Sequence, residues 1–254
     1  MSQLEQVYGL HAVQALLRRH PRRVKQLWLA QNRQDARLHN LLLLAEQAGV
    51  PVRQVPREAL QVKTDGVHQG VLAEVSPSQV WGEKNLDELL DQLAEVPLLL
   101  ALDGVTDPHN LGACLRTAEV AGVQAVIVPR DRSASLTATV RKVACGAAEL
   151  VPLVTVTNLS RYLDYLRQRG LWVVGTAGEA EQELYRQDLT GPTVLVMGAE
   201  GKGMRRLTRE HCDFLVRLPM AGAISSLNVS VATGVCLFEA VRQRRHLQAP
   251  AAGA

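Results

Sequence analysis

Cysteine is scarce: four occur in 254 residues, at Cys114, Cys145, Cys212 and Cys236, and no two form a CxxC pair. This spacing offers neither a disulfide framework nor a thiolate zinc site, so the four read as small core residues in a reducing cytosol. The seven histidines show no ligand spacing either, and no metal is expected. No apolar run reaches the roughly 20 residues that a membrane span needs, so no membrane association is expected. The start, "MSQLEQVYGLHAVQALLRRHPRR", is not a secretory signal, because its apolar stretch precedes the basic cluster instead of following it. Internal repeats are also lacking. What remains has the balance of a globular chain, 47% apolar and 21% charged, long enough for two modest cores.

Charge is unevenly spread. Residues 1–75 carry ten Lys/Arg against six Asp/Glu, residues 76–96 one against five, and the remainder seventeen against fourteen. "RRHPRRVK", Arg18 to Lys25, puts six basic residues in eight, counting His20. Arg at a helix end suits the helix dipole, but this many basic groups exceed what capping needs and suit a phosphate-rich partner.

Hydrophobic periodicity divides the chain. "GLHAVQALLRR", "DARLHNLLLLAEQAG" and "REALQVKT" have helical spacing, while "VKQLWLA", "VPVRQVP" and "GVLAEVS" read as strands. Together they form a small α/β unit over residues 1–75. "SPSQVWGEKNLDELLDQLAEVP" reads as a linker and acidic helix over 76–96. From 97 to 246 the pattern is strand, loop, helix, repeated. Its strands "PLLLALD", "AVIVP", "ELVPLVTV", "LWVVGTAG", "TVLVMGAEG" and "DFLVRLPM" are nearly continuous apolar runs, as in a parallel sheet covered on both faces. Residues 247–254 read as a disordered small-residue tail.

Ligands of open α/β sheets bind beyond the carboxyl ends of the strands. Four such ends are polar or glycine-rich: "DGVTDPHN", "GTAGEAE", "MGAEGKGM" and "LPMAGAISSLN". "GAEGKGM" is no P-loop, because Lys202 precedes Gly203 rather than Ser or Thr, and neither it nor "GTAGEAE" is GxGxxG. Asp107 and Pro108 suit a turn, and Asn110 is a candidate cap for the following helix. Arg116, amid Cys114, Leu115, Ala118 and Val120, is expected to point into a cleft as a phosphate ligand. Glu200, set between glycines, either caps its own loop or meets a cationic or hydroxyl-rich ligand. Ser225 or Ser226 would cap the last helix, and Asn228 would face the same rim.

"DGVTDPHNLGACLRTAEVAG", "VLVMGAEGKGM" and "LPMAGAISSLNVSVATGVCLFEA" resemble, in order, the three signature motifs of the SpoU (TrmH) branch of the SPOUT RNA 2′-O-ribose methyltransferases. The likeness covers about the last 150 residues. "YGLHAVQALL" and "DGVHQGVLAEV" extend it to the family's small ribosomal-protein-like RNA-binding domain. The resemblance implies an α/β trefoil-knot domain that uses S-adenosylmethionine (SAM), without metal. The implied reaction is methylation of a guanosine ribose in 23S rRNA, in the peptidyl-transferase region of the large subunit. It implies a cytoplasmic homodimer that does not act on DNA. SAM would lie against Thr176, Ala177 and Gly178, Met197 and Gly198, Leu218 and Met220, and Ser226 and Leu227. Asn110, Arg116, Glu200, Ser226 and Asn228 fall on the family's functional polar positions. Arg18, Arg19, Arg22, Arg23, Lys25 and His68 become candidate RNA contacts.

The resemblance makes Arg116 the general base, contributed by either subunit. A guanidinium, with a pKa above about 12, seldom yields its proton. Phosphate binding and stabilisation of the developing alkoxide are therefore the chief expected role. The proton acceptor is left among Arg116, a phosphate and water. Two rival readings fit less well: a plain RNA-binding module leaves the rim residues without a role, and the resemblance implies that a tRNA-modifying member would carry short flanking helices instead of a 75-residue α/β unit.

Overall fold

The computed structural model describes residues 4–31, 36–64, 68–77 and 80–248. The chain divides into two units, residues 1–79 with 136–150, and residues 80–135 with 151–254.

The first unit runs β1 (Glu5–Tyr8), α1 (Leu10–Arg19), β2 (Val24–Ala30), α2 (Ala36–Gln47), β3 (Val52–Val55), α3 (Arg57–Lys63) and β4 (Val71–Val75). Its sheet has the order β1-β4-β2-β3. The β2–β3 pair is parallel, and β4 is antiparallel to both β1 and β2. Helical spacing buries Leu10, Val13, Leu16 and Leu17 of α1 with Leu38 and Leu41 of α2 and Leu27 and Leu29 of β2. A second cluster joins Leu60 of α3 to Leu72 and Trp28. Lys63 and Arg53 lie over the Trp28 ring, 4.1 and 5.3 Å from its centroid, as cations do over an aromatic face. β1 was not expected, since four residues ahead of a helix carry little periodic signal. Residues 136–150 contribute α6 (Ala138–Val143) and an ionic group in which Glu149 accepts from both Arg141 and Arg23.

The second unit holds α4 (Glu83–Gln92), β5 (Leu98–Asp103), α5 (Pro108–Val120), β6 (Ala125–Pro129), β7 (Leu153–Val156), α7 (Leu159–Gln168), β8 (Trp172–Thr176), β9 (Gln182–Glu183), β10 (Thr193–Gly198), α8 (Arg206–Glu210), β11 (Phe214–Arg217) and α9 (Val229–Gln248). Its seven-stranded sheet has the order β7-β6-β5-β10-β8-β11-β9, and every pairing is parallel. β5 and β6 are buried along their whole length, which is why they read as unbroken apolar runs. Leu99, Ala101, Ile127 and Val194 pack with Leu86 of α4 and Leu159, Leu163 and Leu166 of α7. Each such leucine, isoleucine or valine side chain contributes about 1.5–3 kcal/mol by burial. α5 packs on α9, and α9 on β10.

At the amino ends of β5 and β10, Arg244 of α9 donates to the carbonyls of Val96, Pro97, Leu189 and Gly191. This ties the last helix to the sheet. α9 begins at Val229, four residues later than Ser225, and runs through Gln248. Residues 247 and 248 of the expected tail are therefore helical, and 249–254 lie outside the described residues. The short β9 and α8 were not anticipated. Cys114 and Cys236 are buried as expected, Cys212 is partly so, and Cys145 is exposed and thus no core residue.

Candidate active site at the carboxyl rim of the parallel sheet

β5 opens at its carboxyl end into the loop that starts α5. Asp107, not Asn110, caps this helix, accepting the His109 amide at 2.9 Å, and Pro108 takes the first helical position, where its missing N–H costs nothing. Asn110 is thereby carried inside the first turn, only 8% exposed.

There it meets the start of α9. The Asn228 Nδ2 donates to Asn110 Oδ1 at 3.0 Å and also to the Glu200 carboxylate, which in addition accepts the Val229 amide at 3.4 Å. The Asn228 Oδ1 accepts from the amide and hydroxyl of Ser230, at 2.9 and 2.6 Å. Asn228 therefore caps α9, the role expected of Ser225 or Ser226. Glu200 reaches across to that cap rather than satisfying its own loop. The carboxylate also lies at the positive end of the α9 dipole.

Glu200 stands at the tip of a tight return after β10, in which Ala199 and Gly203 exchange backbone hydrogen bonds of 3.1 and 2.8 Å. The return is so close that a Cβ on Gly198 would fall 2.2 Å from both the Gly203 carbonyl carbon and the Met204 nitrogen. Just beyond, Arg205 anchors the loop to β5. The buried Asp103 carboxylate accepts from the Arg205 amide at 2.8 Å and from its Nε at 2.6 Å, with Nη2 at 2.5 Å. Neither Arg205 nor Ser230 was singled out from the sequence. The available signal was a carboxylate, Asp103, closing an otherwise wholly apolar strand.

The proposed cofactor residues come from β8, β10 and the segment after β11. The Thr176 hydroxyl donates to the Val196 carbonyl at 3.3 Å. Met197 is buried, Leu218 is half-buried, and residues 219–228 are exposed. Ile224 is 78% exposed, Leu227 41% and Met220 37%. Among the described residues, the backbone of 219–227 makes no hydrogen bond. Free amides and carbonyls alongside apolar side chains are what the edges and face of an adenosine require. Met220 and Leu227, on this segment, therefore fit SAM.

The structure brings Asn110, Glu200 and Asn228 together but leaves two of the five polar candidates outside their network. Ser226 is exposed on the 219–228 segment, and Arg116 is exposed on α5, about 120° around the helix from Asn110 at 3.6 residues per turn. Arg116 thus departs from the expectation that it points into the same cleft.

In the first unit, Arg18, Arg19, Arg22 and Lys25 are exposed, from the end of α1 through the following turn to the start of β2. Arg23 instead binds Glu149 at 2.9 Å and the Ser76 carbonyl. His68 is buried, and its Nδ1 accepts the Gly70 amide at 3.0 Å. Burial, with Arg57 nearby, lowers its pKa. Among the described residues, no three His, Cys, Asp or Glu gather as a metal site, and no helix is long and apolar enough to cross a membrane.

Residues 97–238 match the SpoU rRNA methylase family, and residues 6–81 match the RNA 2′-O ribose methyltransferase substrate-binding family. The chain is 73% identical over 248 residues to the 23S rRNA (guanosine-2′-O-)-methyltransferase RlmB of Pseudomonas aeruginosa, covering 98% of this chain and all of that one. It is 59% identical over 241 residues to the Escherichia coli protein of the same name, covering 94% and 99%. The fold resembles the SpoU methyltransferase AviRb of Streptomyces viridochromogenes in complex with AdoMet, with a TM-score of 0.78, 25% identity and coverage of 96% and 91%. The match to the methylase family spans both ends of the site, from the β5 loop to the start of α9, and the chain belongs to the SpoU rRNA methylase family.

Proposed function

We propose that this chain transfers a methyl group from SAM to the ribose 2′-hydroxyl of a guanosine in 23S rRNA. The observation that carries this reading is the Asn110–Asn228–Glu200 network, anchored on the buried Asn110, beside the segment 219–227, whose backbone makes no hydrogen bond among the described residues. The likeness to RlmB over nearly the whole chain supports the choice of substrate. Bound SAM supplies an already electrophilic methyl carbon. The chain's task is alignment, and holding reactants in attack geometry accounts for about 7–11 kcal/mol of barrier reduction in favourable cases.

Asn110 and Asn228 orient the ribose. Arg116 binds the adjoining phosphate and stabilises the charge developing on the 2′-oxygen. The first unit holds the rRNA through Arg18, Arg19, Arg22 and Lys25. Binding should weaken steeply with salt as these groups displace counterions from phosphates. The enzyme acts as a homodimer in the cytoplasm. Val120 of α5 and Val231 and Phe238 of α9 are exposed apolar side chains on two helices that pack together, a surface suited to a second copy. From there Arg116 would serve the partner's site.

The test is methyl transfer from labelled SAM to 23S rRNA, followed by mapping of nuclease-resistant 2′-O-methyl positions. One modified guanosine is expected. A folded, SAM-binding protein that leaves every ribose unmodified would overturn the proposal.

A further inference from the structure

The polarity of the two site amides follows from their neighbours' chemistry. An amide oxygen and nitrogen are nearly the same size, so the direction of an Asn side chain has to be read from its partners. Around Asn228 the partners are unambiguous. Glu200 is a carboxylate, which accepts, so the atom facing it is the Asn228 NH2. The Ser230 backbone N–H only donates, so the atom facing it is the Asn228 oxygen, which then also accepts from the Ser230 hydroxyl at 2.6 Å. The same NH2 points at Asn110 from 3.0 Å, so the Asn110 atom that meets it is the oxygen.

The consequence is that the Asn110 Nδ2 faces away from the network. Among the described residues it makes no hydrogen bond. Among those residues, the one buried side-chain N or O without a partner is Trp28 Nε1, so this Nδ2 is open to solvent even though the residue is 8% exposed.

We infer that Ser230 and Glu200 are positioning residues which lock Asn228, and through it Asn110, so that Asn110 presents an N–H donor to an oxygen of the bound sugar–phosphate backbone. This rests on the reading of the rim as the methyl-transfer site and adds the sign of one contact: the site offers a donor where Asn could equally have offered an acceptor. A donor there favours an oxygen that gains negative charge as its proton leaves.

The test inverts the sign at constant shape. Asn110→Asp keeps the oxygen that accepts from Asn228 but replaces the outward N–H with a second oxygen. At pH 8, kcat is expected to fall about 10- to 100-fold, the range for loss of a hydrogen bond to a charged group. Activity should then recover as pH falls, because a protonated carboxyl again donates, while Asn110→Ala shows no such recovery. The titratable groups around the position are Glu200 from the loop after β10, and His109 and Cys114 on α5. Burial pushes the Cys114 thiol up to about 11.

Ser230→Ala should lower kcat several-fold at unchanged SAM affinity and melting temperature, and Ser230→Thr should restore it. A 2′-deoxy substitution at the mapped guanosine separates the oxygens. The Asn110→Ala loss in RNA affinity disappears if the 2′-oxygen is the partner and persists if it is a phosphate, and either result supports the donor. Near-normal turnover of Asn110→Asp at pH 8, identical pH profiles for Asp and Ala, or an unaffected Ser230→Ala would overturn the inference. Wild-type protein that methylates no ribose would instead remove the proposed function itself.

Discussion

Arg205→Met offers the sharpest test of how the site is built. The substitution keeps a long apolar stem but removes the guanidinium that sits 2.5–2.6 Å from Asp103 Oδ1. The Asp103 side chain is fully buried, whereas that of Arg205 is 41% exposed. Breaking a fully buried pair costs about 3–5 kcal/mol, because the remaining charge is stranded. Here the retained Arg205 amide still serves Oδ2 at 2.8 Å, and water reaches the pair from one side. The expected cost is therefore about 2–3 kcal/mol.

For a chain of this size, that corresponds to a fall in melting temperature of about 4–12 °C by calorimetry. Asp103→Asn in the same background should recover at least about 1 kcal/mol of the loss, since an amide is not stranded by loss of the cation. Because Arg205 anchors the return that carries Glu200, turnover should fall further than stability alone explains at temperatures where the protein is folded. A loss below about 0.5 kcal/mol, or a double variant whose cost equals the sum of the singles, would refute the argument.

Gly198→Ala should abolish SAM binding or folding, because the added methyl would meet backbone at 2.2 Å rather than a movable side chain. Isothermal titration alongside circular dichroism distinguishes the two outcomes, and normal SAM affinity would contradict the close approach. His68 has a pKa lowered from about 6.5, so the unfolded chain binds the extra proton first. Its stabilising contribution is complete above pH 6.5 and declines as pH falls below it. His68→Gln should flatten that part of the stability–pH curve of the first unit, and an unchanged curve would show that the histidine is not responsible. Arg116→Lys should lower turnover at least tenfold while leaving SAM affinity unchanged, since a lysine cannot reproduce bidentate phosphate contact. Single-turnover rates at neutral pH close to wild type would exclude that role.

Local pattern explains why so much was legible beforehand. The runs at β5 and β6 are apolar at every position but the closing Asp103 because both sheet faces are covered, so they stand out without any knowledge of their neighbours. Asn110, Glu200 and Asn228 lie in or just after segments richer in polar groups than a turn requires, which marks them without saying what they touch. Cap assignments fared less well. Asp107 and Asn110 are both good capping residues, as are Ser225, Ser226 and Asn228. Which of them caps depends on where the helix begins, and that is decided by packing. That Arg116 lies exposed and away from Asn110 on α5 was not legible for a related reason, since apolar neighbours in sequence do not show which side of a helix the fold covers.

By itself, then, the sequence determined the alternation of strands and helices, the sheet's parallel character, the polar carboxyl rim and the family. These depend on side chains within a few residues of one another. The tertiary structure decided that Asn228 meets Asn110 across 118 residues of chain, that Asp103 meets Arg205 across 102, and that the Asn110 amide turns its nitrogen outward. Hydrogen-bond direction depends on which donor and acceptor the fold brings within about 3 Å, and no local periodicity encodes that distance.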